Sequence, residues 1–400
     1  MNNFLQPTPL LFPKNKGIPL LDPSTSTFLE QIYSQISEES YYQFCQYLSD
    51  EIGSRAVHET SNTQARAWLQ NTLELMSSDF EFTIYPEHGS LVAKLPRSSG
   101  NSELRLLVGA HYDTVPGTNG CDDNTSGVSS TLEIARVLSN YSWPCDLFFA
   151  FFNAEETGRH GSQEVAQQFS LEDRPTRVFT LDMILWKEET GIRQVIYDDR
   201  KNDVQSKFFG LLMQNFSLDL GQTDLTLTPR QGNSNWDLSD NSRFWNLDIP
   251  TILLTEENPF DNPYYHLSSD VISNPDYDFD GARDLTATLA IVVSYLALNS
   301  ADDDSDGLIV VEEEYLKTDP LNNDTDNDDL TDLAEILRNS NPLNNDTDGD
   351  GVLDGKEMEL DLGLLKLLVT LFPSLIFGLG VAMVLCLGIL IMKKYKRKHS

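Results

Sequence analysis

The chain has 400 residues, 40% hydrophobic and 10% aromatic, which is enough to form a sizeable globular core. Acidic side chains outnumber basic ones by 62 to 28, giving a formal net charge of −34 at pH 7. Because nucleic acids are bound through basic surfaces, this balance excludes nucleic acid as an expected partner and favours cations.

Residues 1–25 form an N-terminal segment whose apolar residues are broken by Pro7, Pro9 and Pro13. This segment has neither the basic start nor the continuous apolar run of a signal peptide, so we predict none there. Residues 26–76 place apolar side chains at helical spacing in two stretches, with a turn at 52–55 between them. Alternating side chains over 80–85 and 90–95 then predict a β-hairpin.

A Gly-rich loop over residues 109–127 lies between a predicted buried strand at 104–110 and a predicted helix at 128–138. The loop therefore leaves the carboxyl end of a strand, where open α/β sheets place their sites. His111 and Asp113 in this loop project to the same face of an extended backbone. In that arrangement a carboxylate can orient a metal-ligating imidazole.

Two adjacent acids, Asp122 and Asp123, precede the predicted helix. One Asp would suffice as a helix N-cap, which is the alternative to metal binding. Acids also follow later apolar runs, and acids are seldom buried without a partner. The polar residues that come just after predicted strands are His111, Asp123, Glu155, Glu156, Asp182 and His266. Two His and several carboxylates suit zinc better than calcium.

Strands alternate with helices over residues 26–300, and a helix at 281–298 closes this region. The pattern predicts an α/β three-layer sandwich with a mixed, largely parallel central sheet. Strand ends converge at one edge of such a sheet, so we expect the polar residues above to lie together.

Six separated motifs occur in one order: G-A-H-Y-D, G-C-D-D-N-T-S-G, N-A-E-E-T-G, T-L-D-M, S-D-N-S-R-F-W and N-P-Y-Y-H-L-S-S-D. Together they resemble the dinuclear zinc aminopeptidases of metallopeptidase clan MH over about residues 30–300. The resemblance implies a zinc-dependent enzyme that releases N-terminal residues from peptides with a free N-terminus. It leaves two alternatives on the same fold: a glutaminyl-cyclase-like enzyme, and an inactive receptor or adhesion ectodomain.

The resemblance also implies roles for seven residues. Two Zn²⁺ would be bound per catalytic domain, one by His111 and Asp182 and the other by Glu156 and His266, with Asp123 bridging them. Asp113 would orient His111, and Glu155 would be the general base.

Residues 301–361 carry 21 acidic and 3 basic side chains, and three loops recur there with a period of 22 residues. Acids occupy positions 1, 3, 5 and 12 of a calcium loop in each. They are Asp302, Asp304, Asp306 and Glu313; Asp324, Asp326, Asp328 and Glu335; and Asp346, Asp348, Asp350 and Glu357. Asp332 and Asp354 occupy position 9 of the last two loops. The segment resembles thrombospondin type 3 repeats, which implies a stalk stiffened by Ca²⁺; a disordered acidic tail is the alternative.

Residues 367–392 contain no charged side chain and are long enough to cross roughly 30 Å of hydrocarbon, so we predict a transmembrane helix. The basic tail at 393–400 belongs in the cytoplasm by the positive-inside rule. The sequence thus predicts a single-pass protein of the cell membrane whose catalytic domain is extracellular.

Overall fold

The computed structural model describes residues 23–98, 100, 102–172, 174–187, 193–199, 204–221, 225–230 and 235–358. The chain divides into two compact units, Met1–Leu321 and Asn322–Ser400. The predicted transmembrane span at 367–392 and the basic tail at 393–400 lie outside the described residues.

The helices of the first unit are α1 (Pro23–Gln35), α2 (Glu38–Gln46), α3 (Thr60–Met76), α4 (Gly127–Leu138), α5 (His160–Leu171), α6 (Val204–Asp219), α7 (Asn241–Trp245), α8 (Phe279–Leu298) and α9 (Val310–Leu316). Its strands are β1 (Glu81–Ile84), β2 (Leu91–Leu95), β3 (Arg105–His111), β4 (Asp146–Phe152), β5 (Thr176–Leu181), β6 (Arg193–Tyr197), β7 (Leu225–Pro229) and β8 (Thr251–Glu256). The described part of the second unit contains α10 (Asp332–Arg338), which begins within the second acidic loop and ends before the third.

The eight strands form one mixed sheet in the order β1-β2-β4-β3-β5-β8-β6-β7. The four central strands, β4, β3, β5 and β8, are parallel to one another. β2 pairs with β4, and β6 with β8, in antiparallel fashion. The prediction of a mixed α/β fold with a mixed central sheet is therefore confirmed.

The central strands are buried on both faces because their side chains are apolar at nearly every position. Leu106 and Val108 of β3 pack into the larger core with α4 and α8, whereas Leu107 packs on the opposite face with α5 and α7. Helices thus cover both faces of the sheet and form three layers with it. This packing fixes the carboxyl edge of the four parallel strands, where the loops that carry the polar residues begin.

One helix among the described residues, α8, is long and apolar enough to cross a membrane by length and composition. However, 78% of its most apolar stretch is buried within the protein. α8 packs against α1, α4 and α6. α8 is therefore a core helix of the α/β unit. The prediction of membrane association depends on the span at 367–392.

The first acidic loop is packed against the α/β domain within the same unit. Ile309 and Val311, at the end of this loop, belong to the main hydrophobic core. Arg177 of β5 donates two hydrogen bonds of 2.6 Å to the carboxylate of Glu312, and a third of 3.0 Å to the carbonyl of Gly307. Both side chains of the ion pair are buried. The first acidic loop thus shares the core of the α/β domain, although its sequence matches the later loops.

Candidate metal centre

Two histidines and three carboxylates meet at the carboxyl edge of the parallel strands. His111 is the last residue of β3, and its Nε2 lies 3.4 Å from Asp123 Oδ1 and 3.5 Å from Asp182 Oδ1. His266 follows β8, and its Nε2 lies 3.1 Å from both Asp123 Oδ2 and Glu156 Oε2. Asp123 therefore belongs to both groups, with one carboxylate oxygen facing each histidine.

This arrangement fits bound cations. Each of the two triads offers ligand atoms within 4.8 Å of one another. His111 Nε2, Asp182 Oδ1 and Glu156 Oε1 are buried and have no hydrogen-bond partner among the described residues. Buried polar atoms are normally paired, so three such atoms aimed into one site indicate a missing ligand. The mixture of imidazole and carboxylate is the donor set that zinc accepts.

Asp113 lies beside His111, but its carboxylate serves another group. Asp113 Oδ1 accepts the N–H of Glu155 at 3.1 Å, and Oδ2 accepts the N–H of Glu156 at 3.2 Å. His111 Nδ1 is 3.6 Å from Asp113 Oδ1 and 3.2 Å from the Asp113 carbonyl oxygen. His111 therefore lies beside both the carbonyl and the carboxylate of Asp113, so the orienting role of Asp113 stays a prediction. The same carboxylate also positions the turn that carries the two Glu residues.

The neighbours of Asp123 attach its loop to the end of β5. Asp122 accepts the N–H groups of Leu185 at 2.8 Å and Trp186 at 3.1 Å. Asn124 donates to the Leu181 carbonyl at 2.8 Å. These contacts span the segment that contains Asp182, so they bring Asp123 and Asp182 together.

A third acid, Asp270, supports the same loop from below. Its two carboxylate oxygens accept the N–H groups of Asp122 at 2.8 Å and Asp123 at 3.1 Å, and Tyr277 donates its hydroxyl at 2.6 Å. Asp122 and Asp270 both lie in the motifs quoted above. A sequence does not reveal which acid of a motif is a candidate metal ligand and which accepts hydrogen bonds from backbone N–H groups. The side chain that accepts the N–H of Gly127 at the start of α4 is Asn124, so the N-cap alternative for the two Asp residues does not apply.

Arg55 is fully buried beneath the same loop. Its side chain donates hydrogen bonds to five backbone carbonyls and to one hydroxyl. The acceptors are Leu48, Gly53, Tyr112, Asn119, Gly120 and Thr125. Burial lowers the pKa of Arg55 to about 10, while the charges of nearby acids, Asp270 first, oppose this shift. From the sequence, Arg55 was predicted only to lie in a turn. Its supporting role could not be predicted because its hydrogen-bond partners are mostly backbone atoms, which leave no residue-type signal.

The centre opens into a cleft of about 470 Å³, a volume that includes solvent at its mouth. Glu155 lines this cleft beside the ligand candidates. Apolar side chains form much of the remaining wall: Met183, Trp236, Leu238, Leu253, Pro259 and Phe260. The cleft therefore offers an acidic floor and an apolar wall to a bound molecule.

The acids and histidines strongly perturb one another in the absence of cations. Burial and the charges of nearby Asp240 and Asp182 raise the pKa of Glu155 well above its ordinary value. Burial and the charge of Asp123 raise the pKa of Glu156 to about 7. Burial alone would lower the pKa of His111, but Asp182 and the other carboxylates raise it well above its ordinary value. This many like charges in one buried site need compensation by protons or by cations.

The acidic loops form separate groups of carboxylates. Oxygens of Asp302, Asp304 and Asp306 lie within 4.8 Å of one another in the first unit, and so do those of Asp324, Asp326 and Asp328 in the second. In the third loop, Asp346 accepts the N–H groups of Gly349, Asp350 and Gly351, which closes the turn. Among the position-9 and position-12 acids, Glu313, Asp332 and Glu335 are fully buried and Asp354 is 8% exposed.

Comparison with known proteins gives a consistent family. The sequence profile of peptidase family M28 matches residues 90–290. Aminopeptidase YwaD of Bacillus subtilis (strain 168) is 32% identical over 127 residues, which cover 31% of this chain and 28% of the relative. Leucine aminopeptidase 1 of Paracoccidioides brasiliensis (strain Pb18) is 25% identical over 196 residues, which cover 42% of this chain and 47% of the relative. The chain thus spans less than half the length of these two relatives.

Solved structures share the fold at low sequence identity. LapA aminopeptidase of Legionella pneumophila has a TM-score of 0.59 at 21% identity, covering 72% of this chain and 78% of that one. The zinc aminopeptidase BSAP of Bacillus subtilis has a TM-score of 0.55 at 16% identity, covering 65% and 95%. A glutaminyl cyclase of Bacteroides thetaiotaomicron has a TM-score of 0.53 at 17% identity, covering 65% and 98%. Because the cyclase shares this fold with the aminopeptidases, the fold by itself does not separate the two activities.

Proposed function

Since the chain belongs to peptidase family M28, we propose that it is a zinc-dependent aminopeptidase that removes N-terminal residues from peptides. The observation that carries this proposal is the pair of triads that share Asp123 beside Glu155 in an open cleft. The named relatives YwaD and leucine aminopeptidase 1 support aminopeptidase action over the alternatives.

Two zinc ions would be held by this centre. His111 and Asp182 would bind one, Glu156 and His266 the other, and Asp123 would contribute an oxygen to each, as the two triads suggest. Zinc bound at such a site supplies a water of lowered pKa and polarises the scissile carbonyl. Binding of zinc would also give a partner to the three buried atoms of His111, Asp182 and Glu156 that lack a hydrogen bond among the described residues.

Glu155 would act as the general base. It lines the cleft next to the ligand candidates, and Asp113 fixes its backbone by accepting its N–H. A carboxylate at this place can accept a proton from the attacking water and pass it to the nitrogen of the leaving amine as the peptide bond breaks. The excess of carboxylates also gives the free ammonium group of a peptide a favourable place near the reacting centre.

The test is hydrolysis by the full chain of peptides that differ only in a free or a blocked N-terminus. We expect release of the first residue from the free peptide alone. Glu155→Gln should retain bound zinc and lose roughly 10²–10⁴-fold in turnover. Glu74→Gln, at an exposed acid of α3, is the matched control and should behave as wild type. Cyclised glutamine from a Gln-peptide would point to a cyclase, and a zinc-loaded protein inactive on all substrates would point to a receptor.

The proposal extends to the remaining segments. Residues 367–392 would anchor the protein in a membrane, with the catalytic unit outside and residues 393–400 in the cytoplasm, and the acidic loops would bind calcium as a stalk. The supporting observations are the uncharged 26-residue run and the loop carboxylates that converge in both units. Retention of the protein in carbonate-washed membranes and its release by detergent would test the anchor.

A further inference from the structure

We infer that the second and third acidic loops share one cation site, in which Asp354 of the third loop completes the ligand set of the second. The inference rests on the calcium binding proposed for the loops. The sequence assigns Asp354 to position 9 of its own loop. The structure instead brings oxygens of Asp328, Glu335 and Asp354 within 4.8 Å of one another. Asp328 also belongs to the group with Asp324 and Asp326, so both sets meet at this residue.

Glu335 is the observation that identifies a ligand site rather than a group of surface acids. Its side chain is 0% exposed, and neither carboxylate oxygen has a hydrogen-bond partner among the described residues. Both oxygens of Asp326 are likewise without a partner there. A buried carboxylate with no donor and no counterion is strongly unfavourable, so this side chain is explained by a cation between it and its neighbours.

The donor set selects the kind of cation. All five side chains, those of Asp324, Asp326, Asp328, Glu335 and Asp354, offer carboxylate oxygens. Calcium prefers six to eight oxygen ligands, whereas zinc in proteins usually takes imidazole or thiolate ligands as well. The shared site is therefore a calcium site, chemically distinct from the zinc centre proposed above.

The backbone of the third loop is fitted closely against the second. Gly355 donates its N–H to Asp328 Oδ2 at 2.9 Å. A Cβ at this position would lie 2.2 Å from the Asp328 carbonyl oxygen, so only glycine permits this approach. Asp354 is held in place from its own side, because its carboxylate accepts the N–H of Thr347 at 3.1 Å. Bound calcium would thus join the two loops, and each loop would lose affinity without the other.

Calcium titration calorimetry on the calcium-depleted full chain tests the inference with Glu335→Gln, Asp354→Asn and the double variant. Asn at 354 keeps a carbonyl oxygen that can accept the Thr347 N–H. If the site is shared, each single variant loses the same ion or weakens it at least tenfold, and the double variant binds no worse than the weaker single one. Asp350→Asn, in the third loop but outside the shared set, is the control, and its effect should add to that of Glu335→Gln. Gly355→Ala should weaken the same ion although it removes no ligand.

The outcomes separate this inference from the proposals on which it rests. If Glu335→Gln and Asp354→Asn removed two different ions, so that the double variant lost both, the loops would bind calcium independently and the shared site would be refuted. If the wild-type chain bound no calcium, the proposed calcium binding would fall and the shared site with it. Aminopeptidase activity, measured in the same samples, should be unchanged in every variant and reports that the first unit is folded.

Discussion

Arg55→Lys is the substitution that most directly tests how the metal-bearing loop is held. The arginine side chain donates six hydrogen bonds from three nitrogens in a site with no exposed surface. Lysine has three donors on a single nitrogen and cannot reach acceptors spread around the whole edge of the planar guanidinium group. The charge is kept, so the change isolates the geometry of the donors.

The expected magnitude follows from counting the acceptors that lose a partner. The carbonyls of Leu48 and Gly120 keep backbone N–H partners, and the Thr125 hydroxyl still donates to Gly120. Among the described residues, the carbonyls of Gly53, Tyr112 and Asn119 depend on Arg55. If lysine satisfies one of these three, the other two cost about 1–3 kcal/mol each, so the first unit should be destabilised by at least about 2 kcal/mol. At roughly 2–4 °C per kcal/mol, this lowers the Tm by about 4 °C or more. Because Asn119 and Gly120 lie in the loop that carries Asp123, zinc affinity should also fall by roughly 10-fold or more, as for other groups that support metal ligands.

Scanning calorimetry and competition with a zinc chelator measure the two effects in the same preparation. Arg97→Lys is the matched control, because Arg97 forms a surface ion pair with Glu103 and should change stability by less than about 1 kcal/mol. A Tm and a zinc affinity for Arg55→Lys that both match those of the control would show that the loop does not depend on Arg55.

Other substitutions test neighbouring parts of the structure. Arg177→Met leaves the buried carboxylate of Glu312 without its partner and should destabilise the first unit by about 3–5 kcal/mol in calorimetry, whereas replacing both residues by methionine should recover most of this loss. Burial and the charge of Asp122 raise the pKa of Glu256 well above its ordinary value. The contribution of this carboxyl group to the stability of the fold is therefore present at low pH and is lost as the pH rises. Glu256→Gln should accordingly gain stability relative to wild type between roughly pH 5 and pH 9, as measured by denaturant titrations. Gly161→Ala would place a Cβ 2.1 Å from a backbone carbonyl oxygen, and its soluble yield and Tm should fall sharply.

The parallel centre of the sheet was predictable from the sequence because its strands are short, continuous apolar runs. The strand predicted at 104–110 is found at Arg105–His111, and the helix predicted at 281–298 is found at Phe279–Leu298. The last two strands at one side of the sheet, β6 and the edge strand β7, were missed, since they are short and only partly buried. Their pairing with β8 and with each other is decided by tertiary packing, which a local pattern does not contain.

The family was also predictable, and the profile match to M28 confirms it. The motifs identified the polar residues of the site. They did not predict the hydrogen-bond partners of the residues that are not candidate metal ligands. Asp113 was expected to hold His111 through its side chain; in the structure its carboxylate lies 3.6 Å from His111 Nδ1 and also accepts two N–H groups of the Glu155–Glu156 turn. A sequence shows that an acid is present, whereas the partner of that acid depends on which backbone the fold brings to it.

The packing of the first acidic loop changes how a metal-removal experiment must be interpreted. β5 carries Arg177 near its start, where it pairs with Glu312, and leads at its end into Asp182 of the metal centre. If the first loop binds calcium as proposed, loss of that ion would therefore weaken the core that positions Asp182, a proposed zinc ligand, even though calcium takes no part in the proposed reaction. Activity lost on calcium removal does not by itself show a catalytic calcium. The two effects differ in a measurable way: zinc removal should abolish turnover with the fold intact, whereas calcium removal should lower the Tm first and turnover only as the first unit unfolds.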